Sequence, residues 1–117
     1  MQYEINECGD CRILAVAERE LRFDLSEEFK KLVFGFLESG DKNLIVDIGA
    51  VEFLDSTALS TFVAAHNRLT SLSRRFALCC VHQKVMNILR LTSLDRHFTV
   101  TPTRDDACRV LGVAPGA

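Results

Sequence analysis

Hydrophobic and polar residues recur along the chain at spacings that predict helices and strands in turn. The first helical pattern covers residues 25–39, where apolar side chains return every three or four positions and charged side chains occupy the opposite face. Asp24 and Glu27 have the spacing of a capping box, which predicts the start of this helix. A second pattern of the same kind predicts a helix over residues 57–72.

Short apolar runs between the helical patterns predict strands. Residues 43–48 are apolar on both faces, as in a central strand of a sheet, and residues 75–81 share this character. Residues 2–8 and 11–17 predict a hairpin, because the Gly-Asp pair between them suits a two-residue type II′ turn. The remaining patterns predict two short helices, over 84–91 and 105–111, and an edge strand over 97–101.

The predicted order of elements is β-β-α-β-α-β-α-β-α. Strands that alternate with helices are typical of α/β proteins with a largely parallel sheet, to which the hairpin adds an antiparallel pair. We therefore expect a single-domain α/β fold over residues 1–112, followed by a frayed C-terminal tail over 113–117. The open mixed sheet has four or five strands, with the two long helices on one face. The residues expected in the core are Leu32, Phe36, Ile45, Val46, Phe62 and Leu78.

Composition agrees with one folded domain and narrows the functions that the chain can have. The 117 residues are 48% hydrophobic and 26% charged, a balance that argues against disorder. The net charge of −2 lacks the basic excess of a nucleic-acid binder, so no direct nucleic-acid contact is expected. No apolar run has the length of a membrane span, and acidic residues interrupt the N-terminus where a signal peptide is apolar. We expect a cytoplasmic protein without membrane insertion.

The five cysteines do not form a recognisable metal-site pattern. Cys8 and Cys11 have the C-x-x-C spacing of half a zinc site, but the other half is missing, and a hairpin turn explains their positions. Cys79 and Cys80 lie in an apolar run, where reduced cysteine packs as a small hydrophobic residue. Cys108 stands alone. We expect no metal and no cofactor.

The start of the second long helix combines residue types that suit phosphorylation. Asp55, Ser56 and Thr57 lie where this helix follows a buried strand. The first backbone N–H groups of a helix lack partners and carry a positive partial charge, so a phosphate there would meet free donors. Asp, Ser and Thr are also preferred N-cap residues, which explains them without any chemistry. The residues alone leave both interpretations open.

The segment from Asn43 to Leu59 resembles the signature of the STAS domain, the fold of bacterial anti-sigma factor antagonists. That family has a strand, a pattern close to V-x-F-[LM]-D-S-[ST]-G-L, and then a helix. This chain has V-E-F-L-D-S-T-A-L over residues 51–59. Residues 85–95 are similar to a second family stretch, V-x-x-[IL]-[FL]-x-[LM]-[ST]-G-L. With the β-β-α opening, the resemblance covers roughly the whole chain.

The resemblance implies that Ser56, directly after the aspartate, is the phospho-acceptor. Asp55 matches the acid that helps to position the hydroxyl. The residues implied in partner binding are Asp55, Ser56, Thr57, Ala58 and Ser60. Three departures lie nearby, because Ala58 and Ser60 replace frequent glycines and residues 19–22 have R-E-L-R where antagonists tend to have G-x-L-D. Arg22 thus stands where an acid is expected.

The resemblance implies a regulatory binding module and not an enzyme. Unphosphorylated, it would bind an anti-sigma factor with Ser/Thr kinase activity, and phosphorylation of Ser56 would release that partner until a Ser/Thr phosphatase restores binding. The alternative is a STAS module without a switch, which docks on a transporter ATPase or in a larger signalling complex. No catalytic residue is expected, since the common hydrolase, NTPase and zinc-protease motifs are absent. His66 is best explained as a core or half-buried histidine.

Overall fold

Strands and helices alternate through residues 1–112, which are the part of the chain that the computed structural model describes. The strands are β1 (Tyr3–Cys8), β2 (Cys11–Val16), β3 (Glu20–Leu21), β4 (Asn43–Asp47), β5 (Phe53–Leu54), β6 (Phe76–Cys79) and β7 (Thr99–Thr101). The helices are α1 (Asp24–Ser39), α2 (Ser56–Ser71), α3 (Gln83–Leu91) and α4 (Arg104–Gly112). The tail predicted over residues 113–117 lies outside the described residues.

Five strands form one mixed sheet in the order β1-β2-β4-β6-β7. β1 and β2 are antiparallel, whereas each later neighbouring pair is parallel. Gly9 has a φ of +55°, which glycine adopts without steric penalty, and the two-residue turn places Cys8 opposite Cys11. The predicted α/β fold is confirmed, and so is the order of its elements apart from β3 and β5. These two-residue strands pair in parallel with each other.

The two faces of the sheet pack against different helices. Leu44 and Val46 of β4 belong to the larger core, to which α1, α2 and α3 contribute, whereas Ile45 between them belongs to a smaller core beneath α4. In the larger core the rings of Phe29 from α1 and Phe62 from α2 meet edge to face, with centroids 5.6 Å apart. The prediction that the two long helices pack on one face is therefore confirmed.

The inward face of α1 differs from the predicted one. Phe29, Val33 and Leu37 are buried, whereas Leu32 and Phe36 are only half-buried, so their predicted core positions are wrong. The apolar stripe of this helix is broad, and the row at a spacing of four residues faces the core. The burial predicted for the other core residues is confirmed, namely for Ile45, Val46, Phe62 and Leu78.

The start of α1 also differs, because the predicted capping box does not form. Phe23 is the N-cap residue, and Asp24 is the exposed first residue of the helix. Within residues 1–112 neither Asp24 nor Glu27 accepts a hydrogen bond through its carboxylate. The backbone N–H of Phe23 donates instead to the carboxylate of Asp55, 32 residues later, over 3.1 Å. A residue from another element thus completes the start of α1.

Cys8 and Cys108 form a disulfide that their spacing in the sequence does not predict. The bond joins the end of β1 to α4 across 100 residues, with the two Cα atoms 6.4 Å apart. The other three cysteines, Cys11, Cys79 and Cys80, are free thiols. Two cysteines so distant in sequence meet only because α4 packs across the base of the hairpin turn, which is a property of the complete fold.

Candidate functional site

Asp55 joins the starts of the two long helices. Its Oδ1 accepts hydrogen bonds from the backbone N–H of Ala58 (3.0 Å) and from the hydroxyl of Ser26 (2.6 Å). Its Oδ2 accepts the N–H of Phe23. Ser26 is fully buried on α1, so this carboxylate satisfies a hydroxyl that water does not reach. Asp55 therefore has a structural role, as the N-cap of α2 and as the link between α2 and α1.

The carboxylate of Asp55 is held in its charged form. Burial alone would raise the pKa of Asp55, but hydrogen bonds from Ser26, Ala58 and Phe23 together outweigh burial and keep this pKa below its usual range. A negative charge at a helix N-terminus is also stabilised by the helix dipole. The sequence suggests that a phosphate would meet free N–H donors here, whereas Asp55 already occupies part of that donor set.

Ser56 lies beside this carboxylate as the first residue of α2, and its side chain is exposed. Within residues 1–112 its hydroxyl has no hydrogen-bond partner, so it is free to react or to contact another molecule. Ser60 is exposed one turn later on the same helix. Two open clefts, of about 430 Å³ and 480 Å³, border α2, and both are lined by Ser56, Ser60 and Ala64. The small side chains form a low ridge that another protein can approach closely.

The structure brings together some, but not all, of the residues that the resemblance implies in partner binding. Ser56 and Ser60 lie on the surface, and Thr57 is half-buried at the edge of the cleft towards α1, near Lys30. Asp55 is engaged with the helix starts. Ala58 is fully buried, so its methyl group packs in the core and does not lie on the surface that a partner would contact.

Arg22 lies in the segment before α1, next to Phe23. Its Nε pairs with Glu20 over 2.8 Å, and its guanidinium lies over the rings of Phe23 and Phe53, 5.4 and 5.7 Å from their centroids. Phe23 is 77% exposed and has a φ of +55°, an uncommon left-handed value for a residue with a side chain. The position where the family tends to have an acid thus carries a cation that is already paired.

Glu52 fixes the segment that leads into the site. Its carboxylate pairs with Arg19 over 2.8 Å and with the Nζ of Lys84 over 2.9 Å. The hydrogen bond from Lys84 is the main reason why the pKa of Glu52 lies below its ordinary value. These contacts connect the segment before β3 and the start of α3 to the strand that precedes Asp55.

Among residues 1–112, one group of three metal-binding side chains lies close together: Asp47, Cys79 and Cys80, whose ligand atoms are within 4.8 Å of one another. Arg104 donates through Nε to the Oδ2 of Asp47 over 2.5 Å, which places a positive charge beside that carboxylate. Burial raises the pKa of both thiols and so disfavours the thiolates that bind metals. The chemistry of this group does not suit a metal cation.

His66 is half-buried, as the sequence predicts, and it packs among aromatic rings. Its ring centroid lies 4.5 Å from that of His97 and 5.9 Å from that of Phe98. Its Nδ1 is buried and has no hydrogen-bond partner in the described part of the chain. Burial, and next the proximity of His97, lower the pKa of His66. The uncharged ring is thus part of the packing around Phe98.

Sequence reasoning missed Ser26 and the backbone of Phe23 as partners of Asp55. The local pattern offers one indication for Ser26, because a small polar residue falls on the buried face of α1, three positions before Phe29. Nothing near Phe23 in the sequence indicates that its N–H donates to Asp55, the N-cap residue of α2. The contact becomes visible only when the two helix starts lie side by side.

Comparisons with known proteins give one consistent result. The family model of the STAS domain matches residues 2–107. A Thermotoga maritima protein provisionally named an anti-sigma factor antagonist is 31% identical over 96 residues, which cover 81% of this chain and 85% of that protein. A crystal structure from the same organism, with the same provisional name, is similar with a TM-score of 0.82 at 27% identity and 93% coverage of both chains.

The fold is also that of SpoIIAA of Bacillus, an anti-sigma factor antagonist. Its unphosphorylated form is similar with a TM-score of 0.79 at 16% identity, covering 97% of this chain and 99% of that one. Its phosphorylated form is similar with a TM-score of 0.70 at 13% identity, covering 92% of this chain and 97% of that one.

No helix within residues 1–112 has the length and hydropathy that crossing a membrane requires.

Proposed function

Because this chain belongs to the STAS domain family, we propose that it is an anti-sigma factor antagonist whose binding is switched by phosphorylation of Ser56. Unphosphorylated, it binds an anti-sigma factor with Ser/Thr kinase activity, which then releases its sigma factor. Phosphorylation by that partner ends the complex, and a Ser/Thr phosphatase restores it. The chain is a binding module and a substrate, and the ATP is bound by the partner.

The observation that carries this proposal is the environment of the Ser56 hydroxyl. It is exposed, it has no partner within the described residues, and it lies on a ridge between two clefts. A kinase requires such access, and a protein surface can bury this ridge without displacing a large side chain. Because Asp55 caps α2, the Ser56 hydroxyl is not needed to complete the helix start.

The charges around Ser56 explain how a phosphate would break the complex. A phosphoserine carries about −1.5 to −2 charges at neutral pH. It would lie next to the ionised Asp55, which already accepts the N–H of Ala58. The phosphate therefore remains at the surface. A bound partner would have to displace the water around the phosphate and bury its negative charge, which costs binding free energy. The penalty falls at the centre of the proposed interface.

The switch acts through charge and leaves the fold in place. The start of α2 is held by the hydrogen bonds of Asp55 to both helices, and none of these bonds uses the Ser56 side chain. SpoIIAA supports this view, because its phosphorylated and unphosphorylated forms both share the fold of this chain. We therefore expect the phosphorylated protein to unfold at nearly the same denaturant concentration as the unmodified one.

The decisive experiment is intact-mass analysis after incubation with the cognate anti-sigma factor kinase and ATP. Wild type gains one phosphate, and Ser56→Ala gains none. Ser71→Ala is the matched control, since Ser71 is an exposed serine on the same helix that lines neither cleft, and it gains one phosphate like wild type. In a binding assay with ATP present, Ser56→Ala stays bound to the partner. In the same assay without ATP, Ser56→Asp binds the partner more weakly than wild type does.

The same experiment identifies the outcomes that contradict the proposal. A phosphate on both wild type and Ser56→Ala places the acceptor elsewhere, and a phosphate on neither removes the switch. The second result favours a non-switching STAS module that docks on a transporter ATPase or in a larger signalling complex. A partner that binds wild type and Ser56→Asp equally well also overturns the electrostatic mechanism.

A further inference from the structure

All five cysteines of the chain lie in the smaller core beneath α4. Cys11 and Cys79 are buried within it, and Cys8, Cys80 and Cys108 pack against it. The disulfide between Cys8 and Cys108 closes this core at the hairpin turn, and both of its residues are half-buried. This face of the sheet is opposite to the face on which the two long helices pack.

The free thiols of this core are poor nucleophiles. Cys11 and Cys79 are fully buried, and burial is the main cause that raises the pKa of Cys11, Cys79 and Cys80. The thiolate is the reactive form of cysteine, so a raised pKa protects these three side chains from small reagents. The two half-buried cysteines at the hairpin end are the members of the cluster that combine solvent access with a partner sulfur within bonding distance.

We propose that Cys8 and Cys108 form a reversible modification site whose substrates are low-molecular-weight disulfides, such as glutathione disulfide. In the reduced protein the Cys8 thiolate attacks one sulfur of the small disulfide, forms a mixed disulfide and releases one small thiolate. The Cys108 thiolate then attacks the Cys8 sulfur and releases the second. The two protein thiols lose two electrons and two protons, and the small disulfide becomes two thiols. Excess small thiol reverses both steps.

Contacts other than this bond also hold α4 against the sheet, which allows the bond to be reversible. Ala107 and Leu111 of α4 are buried against the sheet. Asn43 donates through Nδ2 to the carbonyl of Leu111 over 3.1 Å, and Arg75 donates to the carbonyl of Val110 over 2.8 Å. Disulfides of cytosolic proteins are usually transient, and the sequence predicts a cytoplasmic protein.

Oxidation changes how often α4 leaves the sheet. The covalent bond ties the helix to the hairpin, whereas the reduced helix is held only by packing, hydrogen bonds and the pair between Arg104 and Asp47. Asp47 also accepts the N–H of Gly49 over 2.9 Å, at the beginning of the segment that leads to β5. The modification thus acts on α4, whose Arg104 pairs with the aspartate that binds the beginning of this segment. It does not require that Ser56 be phosphorylated.

The test is to equilibrate the full chain in glutathione buffers that range from excess disulfide to excess thiol, and then to alkylate under denaturing conditions. Peptide mapping is expected to show three alkylated cysteines and a Cys8–Cys108 bond at the oxidised end, and no bond at the reduced end. Hydrogen exchange of the amides of residues 104–112 is expected to be about tenfold faster in the reduced protein, because opening no longer stretches a crosslink.

Single cysteine variants make the assignment specific. In Cys8→Ser and Cys108→Ser, the amides of residues 104–112 are expected to exchange their hydrogens as fast as in the reduced wild type, in every glutathione buffer. Cys80→Ser is the matched control, because Cys80 is half-buried in the same core but is a free thiol. Across the glutathione buffers it should change from the oxidised to the reduced form as wild type does.

Three results would overturn the proposal. A bond that persists in excess reduced glutathione is a permanent structural disulfide. A pair that stays reduced in excess glutathione disulfide is not a modification site, and a bond between Cys8 and Cys11 places the chemistry within the hairpin alone. None of these outcomes depends on phosphorylation or on an anti-sigma factor, so the two proposals fail separately.

Discussion

Replacement of Asp55 tests whether the candidate site is also the structural link between α1 and α2. In Asp55→Ala the N–H groups of Phe23 and Ala58 and the hydroxyl of Ser26 lose their acceptor. A hydrogen bond to a charged group contributes about 1.5–3 kcal/mol, and a buried donor left unpaired costs about 1–3 kcal/mol. Water can replace the acceptor for the less buried donors, but not for Ser26. We expect the free energy of unfolding to fall by about 3 kcal/mol at pH 7.

Asp55→Asn separates the effect of charge from the effect of shape. The amide keeps one oxygen that can serve Ala58 and Ser26, but it presents an NH₂ donor where the carboxylate accepts the N–H of Phe23. One hydrogen bond is lost, and the acceptor of the other two no longer carries a charge. We therefore expect the free energy of unfolding to fall by about 1–2 kcal/mol. The order of stability is therefore wild type, then Asp55→Asn, then Asp55→Ala.

Acid should narrow the difference between wild type and Asp55→Asn. The pKa of Asp55 is lower in the folded protein than in the unfolded chain, where it is about 3.9. The unfolded state therefore binds the proton more readily, so the stabilisation is present above the unfolded pKa and is lost as the pH falls through the folded pKa. The difference should be constant from pH 7 to about pH 5 and should shrink below that.

Urea unfolding followed by circular dichroism measures both effects. Asp24→Asn is the matched control, because Asp24 is an exposed carboxylate at a helix start without a hydrogen bond in the described residues, and it should cost less than about 0.5 kcal/mol. If Asp55→Ala is as stable as Asp24→Asn, or if the difference persists unchanged in acid, Asp55 does not join the two helices in the way described.

Three further predictions concern stability. Phe62→Ala should cost about 3–5 kcal/mol and the half-buried Phe36→Ala about 1–2 kcal/mol, and equal losses in urea would contradict the assignment of the core. Because burial lowers the pKa of His66, folding favours the neutral ring, so wild type should begin to lose stability below about pH 6.5, the ordinary pKa, and lose it further down to the lower pKa of the folded state. Melting curves of His66→Gln should lack this loss, and a variant with the pH slope of wild type would contradict the prediction. Ser56→Ala should change the free energy of unfolding by less than about 0.5 kcal/mol, and a larger loss would assign the hydroxyl a structural role.

The order of elements could be predicted because each long element carries its own periodic pattern. The 16 residues of α1 and of α2 each show an apolar stripe, and the buried strands lack polar residues in their centres. The same patterns cannot show which part of a broad stripe faces the core. On α1 that choice falls on Phe29 and Val33, and not on Leu32 and Phe36, because α2 packs against one side of the stripe.

The features that the sequence did not predict all depend on contacts between distant segments. β3 and β5 have two residues each, which is too short for a period to be visible, and each exists only because the other lies beside it. The capping of α1 by Asp55 and the Cys8–Cys108 bond join residues 32 and 100 positions apart. Local preference offered three candidate N-cap residues before α2, of which Asp55 is the cap, but it also offered Asp24, whose carboxylate bonds nothing within residues 1–112.

The neighbouring residues Asp55 and Ser56 carry separable kinds of evolutionary information. Selection for a folded domain alone is sufficient to retain the aspartate, because two helix starts are built on it. The same selection places no demand on the serine hydroxyl, which bonds nothing within residues 1–112. One substitution of Ser56 would therefore abolish the proposed switch and keep the architecture intact. Among relatives with this motif, we expect the aspartate to be kept wherever the fold is kept, and the serine only where the proposed regulation is kept.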